Sequence, residues 1–119
     1  MLAGFGVRDI TPAPGLSMAG FAVRDGPPTA LGTHDSLYVR SLGVKSGGVT
    51  VLLFAFDLIG LPSAWIAQAR EAVERECGVQ GVSQMFTCTH THCGPGTGVI
   101  PYTLGNKPAC DPAYMDALM

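Results

Sequence analysis

The sequence is short of charge. Asp, Glu, Lys and Arg make up 13% of its 119 residues, about half the share usual in a soluble domain at roughly 25%. Seven Lys and Arg against nine Asp and Glu leave a net charge of −2, and the basic residues form no cluster. Nothing is present to neutralise a row of phosphates, so no nucleic-acid partner is expected. A long hydrophobic run is also missing. The longest, Val49 to Pro62, is broken by Asp57 and falls short of the ~20 apolar residues that a spanning helix requires. No transmembrane segment is therefore expected. Met1-Leu2-Ala3-Gly4 lacks the basic and apolar stretches of a signal peptide. The sequence as written reads as cytoplasmic, or as secreted if a segment precedes it.

The four cysteines, Cys77, Cys88, Cys93 and Cys110, come with no secretory signal. They are read as reduced, and most of them as small buried hydrophobes. Cys88 and Cys93 straddle a strand end, which should hold their Cα atoms beyond the roughly 7 Å that a bridge can span. The scarcity of charge suggests a surface covered by further protein, although a compact hydrophobic domain has the same composition. The length fits one domain, residues 1–119.

The elements present are those of an α/β fold. Leu2 to Val7 reads as a short strand, and Pro12 stops any helix after it. Ala13 to Thr33, rich in Gly and Pro, reads as an ordered surface loop. Leu37 to Val44 alternates like a strand, and Ser46-Gly47-Gly48 supplies a turn. Val49 to Phe56 is almost continuously apolar, the pattern of a central strand covered on both faces. Ser63 is placed as the cap of a helix running to Cys77, with Gly78 as its stop. Trp65, Ile66, Ala69, Ala72, Val73 and Cys77 make its apolar face. Val82 to Thr89 is the next strand. Residues 93 to 112 form a loop, and Asp111-Pro112 opens a final short helix.

Strand, helix and strand across residues 49 to 89 make a βαβ unit with parallel strands and a right-handed crossover. The whole reads as a βαβ-containing mixed sheet with flanking helices, an incomplete part of a larger α/β/α catalytic domain. In such sheets ligands collect at the carboxyl ends of the strands. Asp57 ends one strand and His90 to His92 end the other, so all three belong on one edge.

Residues two apart on an extended backbone point the same way, so His90 and His92 can share a metal ion. A bare His-x-His is a weak signal by itself. Its place at a strand end, before Gly94-Pro95-Gly96, strengthens it. The alternatives are two hydrogen-bonded surface histidines, or a closed structural zinc site built from Cys88, His90, His92, Cys93 and Cys110. The latter lacks the Cys-x2-Cys knuckle usual in such sites. Asp57 either orients a histidine by accepting its distal N–H or caps the turn at 58–62. His34 sits in a Gly-containing loop, where a structural role is the simpler reading.

Thr89-His90-Thr91-His92-Cys93-Gly94-Pro95 resembles the Thr-His-Thr-His-Ser-Gly-Pro motif of the neutral/alkaline non-lysosomal ceramidases. Further likenesses follow in the family's order: Gly6 to Pro12, Met18-Ala19-Gly20-Phe21, Gly32-Thr33-His34-Asp35 with Tyr38-Val39-Arg40, and Phe54 to Leu58. Together they cover nearly the whole sequence, but only the family's N-terminal portion. The resemblance implies a zinc-dependent hydrolase of a carbon–nitrogen amide bond, acting on an N-acyl amide lipid such as N-acylsphingosine. His90 would bind the catalytic zinc, and His92 would line the site beside the reacting amide. The other ligands (a His, a Glu and a Tyr) and the serine nucleophile would lie downstream, in polypeptide needed to complete the site. Cys93 stands where the family has Ser, which changes the local hydrogen bonding. Two rival readings stay open: another His-x-His amidohydrolase, of (β/α)8-barrel type, and a non-catalytic metal-binding or scaffold domain.

Overall fold

A computed structural model describes residues 1–20, 29–99 and 110–119. Four strands, β1 (Leu2–Asp9), β2 (Tyr38–Ser46), β3 (Val49–Phe56) and β4 (Gln84–Cys88), form one sheet in the order β1-β2-β3-β4. Two helices accompany them, α1 (Ser63–Cys77) and α2 (Pro112–Ala117). β1 and β2 run antiparallel, as do β2 and β3, while β3 and β4 are parallel and joined by α1. The expected βαβ unit is therefore present within a mixed sheet. An antiparallel β1-β2-β3 meander is not the alternation of a (β/α)8 barrel, and that rival falls away.

Local chemistry explains the element ends. Gly47 and Gly48 both have positive φ, 55° and 82°, which a two-residue hairpin of type I′ requires and which glycine adopts without strain. α1 stops at Gly78, left-handed at φ 67°, whose N–H donates to the Glu74 carbonyl at 2.8 Å. Its start differs from expectation. Pro62 occupies the cap position and makes no side-chain hydrogen bond, so Ser63 is the first helical residue. The last strand is also shorter than expected, because Gly81–Ser83 wind into a 3₁₀ turn before it. Asp111 caps α2 by accepting from the Tyr114 N–H at 2.9 Å.

One face of the sheet carries the core. Ile10, Phe56, Leu58, Trp65, Ala69, Met115 and Leu118 are buried together, with Phe54, Phe86 and Cys88 packed against them. Trp65 is central: its ring meets Phe56 and Phe86 edge-on at 5.8 and 6.5 Å. Its indole N–H donates to the Met115 carbonyl at 3.0 Å, pinning α2 to α1. The Tyr114 hydroxyl donates to the Ile10 carbonyl at 2.8 Å, and Arg8 Nη2 to the Ala117 carbonyl at 3.0 Å.

The opposite face does not match the expectation of a strand covered on both sides. Phe5, Leu42 and Met85, aligned through Leu53 by the register, stand exposed with Val51. Apolar content in β3 thus reports one packed face and one open face among the described residues. Cys77 and Cys93 are likewise exposed rather than buried, while Cys88 and Cys110 are half-buried; all four are free. Cys77 is the last residue of α1.

Trp65→Ala should cost about 3–5 kcal/mol in chemical denaturation, the usual range for emptying a large aromatic site. Tyr114 gives a second test. Burial raises its phenol pKa above the ordinary value of 10.0. A raised folded-state pKa means that the neutral form stabilises the fold below pH 10 and that this stability is lost as the pH climbs above it. Unfolding free energies measured from about pH 8 to about pH 11 should therefore fall more steeply for the native chain than for Tyr114→Phe.

Candidate metal and catalytic site

Backbone pairing of the parallel strands continues past their formal ends. The Thr89 N–H donates to the Phe56 carbonyl at 2.9 Å, and the His90 N–H to the Leu58 carbonyl at 3.0 Å. His90 then turns left-handed, at φ 61°, the only described non-glycine residue with positive φ. Such a conformation costs of order 1–2 kcal/mol for an L-residue and tends to mark functional sites. The strand-parity argument for pairing the histidines fails here, since β4 ends at Cys88. The turn at His90 brings the two imidazoles together instead, with centroids 5.3 Å apart and planes at 64°.

The His90 ring is oriented by Ile59, whose carbonyl lies 2.8 Å from Nδ1. A carbonyl can only accept, so Nδ1 carries the hydrogen and the neutral ring keeps its lone pair on Nε2. That tautomer suits a metal ligand.

Asp57 was open to two roles, orienting a histidine or capping the turn at 58–62. It sits on the anticipated sheet edge, next to Phe56, but its Oδ2 accepts from the Tyr38 N–H at 3.0 Å and from Arg40 Nη1 at 2.8 Å. The carboxylate turns over β2 because Asp57 continues the register of β3 opposite Tyr38. It locks the sheet edge, while a backbone carbonyl serves the histidine.

The loop after His92 is held from both sides. Met18 pairs with Pro95 in an antiparallel bridge. Ala19 N–H donates to the Gly94 carbonyl at 3.0 Å and Gly96 N–H to the Ser17 carbonyl at 2.8 Å. Thr97, 1% exposed, donates its hydroxyl to the Gly60 carbonyl at 2.8 Å. Gly94, Pro95 and Gly96 are buried. Cys93 is exposed, and its N–H donates to the Thr91 hydroxyl at 3.2 Å.

His34 lies apart from the histidine pair. Its side chain is 97% exposed and meets Asp35 Oδ2 at 2.7 Å, a hydrogen bond that raises its pKa. It borders a cavity of about 460 Å³ whose described walls include Pro12, Leu16, Leu37, Thr91 and Cys93 but neither His90 nor His92.

Among the described residues no group of three or more His, Cys, Asp and Glu is placed to hold a metal ion. The closed site of Cys88, His90, His92, Cys93 and Cys110 is therefore not formed by them. The imidazole pair suits two positions of a shell at most, whereas a catalytic zinc normally takes three protein ligands and a water. No described helix is long and apolar enough to cross a membrane. The sequence left three features unnamed: the left-handed His90, the Ile59 carbonyl and the approach of Gly20 to His92. The first two arise from tertiary hydrogen bonds. The third had a signal, a glycine inside the Met18 to Phe21 stretch.

The strain at His90 is open to measurement. His90→Gly should keep the fold, whereas the β-branched His90→Val should be less stable than His90→Gly by about 1–2 kcal/mol or more in urea unfolding.

No family model and no curated protein sequence matches the chain. Solved structures do. Neutral ceramidase from Pseudomonas aeruginosa aligns at 25% identity with a TM-score of 0.67, over 79% of this chain and 15% of that one. A ceramidase complexed with C2 aligns at 25% identity with a TM-score of 0.68 and the same coverage. The chain spans far less than the length of those proteins, and within its span it is neutral ceramidase-like in its α/β fold.

Proposed function

We propose that this chain supplies the histidine pair of a zinc-dependent amide hydrolase that splits N-acylsphingosine, or a similar N-acyl amide lipid, into an amine and a fatty acid. The observation that carries this reading is the imidazole pair itself. Two rings 5.3 Å apart sit beyond the carboxyl ends of parallel strands, one of them fixed by a carbonyl with its Nε2 lone pair turned to other use. Likeness of fold to neutral ceramidases gives the reaction class its support.

In this reading His90 holds zinc through Nε2, and His92 hydrogen-bonds the developing oxyanion or the nucleophile. A bound zinc would supply Lewis-acid polarisation of the amide carbonyl and a more acidic water. The remaining ligands and the nucleophile come from outside the described residues, in polypeptide downstream of this sequence. The low charge of the chain and its open apolar sheet face agree with such a neighbour. Cys93 takes the position of the resemblance's Ser, and because the nucleophile in this reading is a different residue, that change does not by itself argue against activity.

The test compares the 119-residue chain with a longer polypeptide that contains it, measuring bound zinc and fatty acid released from N-acylsphingosine. The short form should bind zinc weakly and release nothing. In the long form His90→Ala should remove metal and activity together, and His92→Ala should lower kcat by about 10²–10³, the range for losing an oxyanion donor. Turnover by the short form, or full activity of the long form without His90, would falsify the reading.

A further inference from the structure

Gly20 combines two properties that the other described glycines do not share. Its φ is 95°, a conformation in which L side chains are rare, and it lies against a histidine. A β-carbon built on it would overlap His92 Cγ and stand 2.7 Å from Cβ and 2.8 Å from Cδ2. Real β-carbons essentially never come within 3.0 Å of such atoms. Gly15, Gly47, Gly48 and Gly78 also have positive φ but would meet nothing within 4 Å; they only turn the chain. At Gly20 the missing side chain is occupied space.

The segment cannot easily retreat. Met18–Pro95 bridging, Ala19 N–H to Gly94 carbonyl and Gly96 N–H to Ser17 carbonyl tie it to the residues just after His92. The ring's other described neighbour is His90, 5.3 Å away between centroids and itself held by the Leu58 and Ile59 carbonyls. We infer that Gly20 is a positioning residue whose bare α-carbon sets the His92 imidazole against that of His90. This rests on the proposed function only in taking the histidine pair as the site. Its test reads ring geometry and folding, not hydrolysis, so either idea can fail alone.

The experiment uses the 119-residue chain with Gly20→Ala, His92→Gly, the double variant, and Gly15→Ala. The last is a control for backbone strain at a similar φ of 105°. Histidine ring resonances and the cross-relaxation between His90 and His92 ring protons are followed by NMR, and folding equilibria in urea. Gly20→Ala should move the His92 ring resonances and weaken the inter-ring signal, while Gly15→Ala leaves both in place. Its effect on the folding constant should be about tenfold smaller in the His92→Gly background, which removes all three crowded atoms, as coupled contacting residues behave. If Gly20→Ala alone does not fold, folding of the double variant supports the inference and its failure to fold overturns it. Equal penalties in both backgrounds, or an unmoved His92 ring, also overturn it.

Discussion

The site depends on two carbonyl groups just past the end of β3. Leu58 and Ile59 accept from the backbone and the ring of His90, and they can do so only because β3 and β4 run parallel and finish level. An antiparallel pairing would send the two strand ends to opposite edges. The parallel geometry in turn needs the α1 crossover, and α1 is seated by Trp65 against Phe56 and Phe86. A tryptophan with no chemical role therefore fixes where a histidine can stand. Holding the imidazole on rigid strand ends, with hydrogen bonds made to backbone carbonyls, fixes its placement through the sheet itself.

The same edge is closed by a different device on the other side. Asp57 binds Arg40 and the Tyr38 N–H, joining β3 to β2 at the point where the antiparallel and parallel halves of the sheet meet. Arg40 also lies over the Tyr38 ring, 5.0 Å from its centroid. The ion pair is half-exposed on the arginine side, so its worth lies more in register than in energy. The carboxylate nearest the histidines in sequence logic thus belongs to the sheet's architecture.

Much of the frame was legible in the residues. Glycine pairs and a helix stop announce themselves through positive φ, and the helix Ser63–Cys77 follows from its apolar spacing. The βαβ unit, with Asp57 and His90 at one edge of the sheet, follows from strand, helix, strand. What escaped was set by neighbours distant in sequence. Apolar alternation could not say that β3 is packed on one face only, since Phe5, Leu42 and Met85 look as core-like as Phe54 and Phe86. Nor could His-x-His spacing reveal that the pair meets through a left-handed turn, because that conformation is imposed by carbonyls about 30 residues earlier in the chain.

The docking of α2 has a consequence for the order in which the molecule is made. Tyr114 reaches Ile10 across 104 residues and Arg8 reaches Ala117 across 109, while Met115 and Leu118 complete the core around Trp65. During synthesis the sheet and α1 emerge well before these partners exist. Trp65 and Phe56 must wait with one side uncovered until α2 leaves the ribosome. A nascent chain in this state presents an aromatic surface to holding chaperones, and the loop between β1 and α2 can close only once α2 has been made.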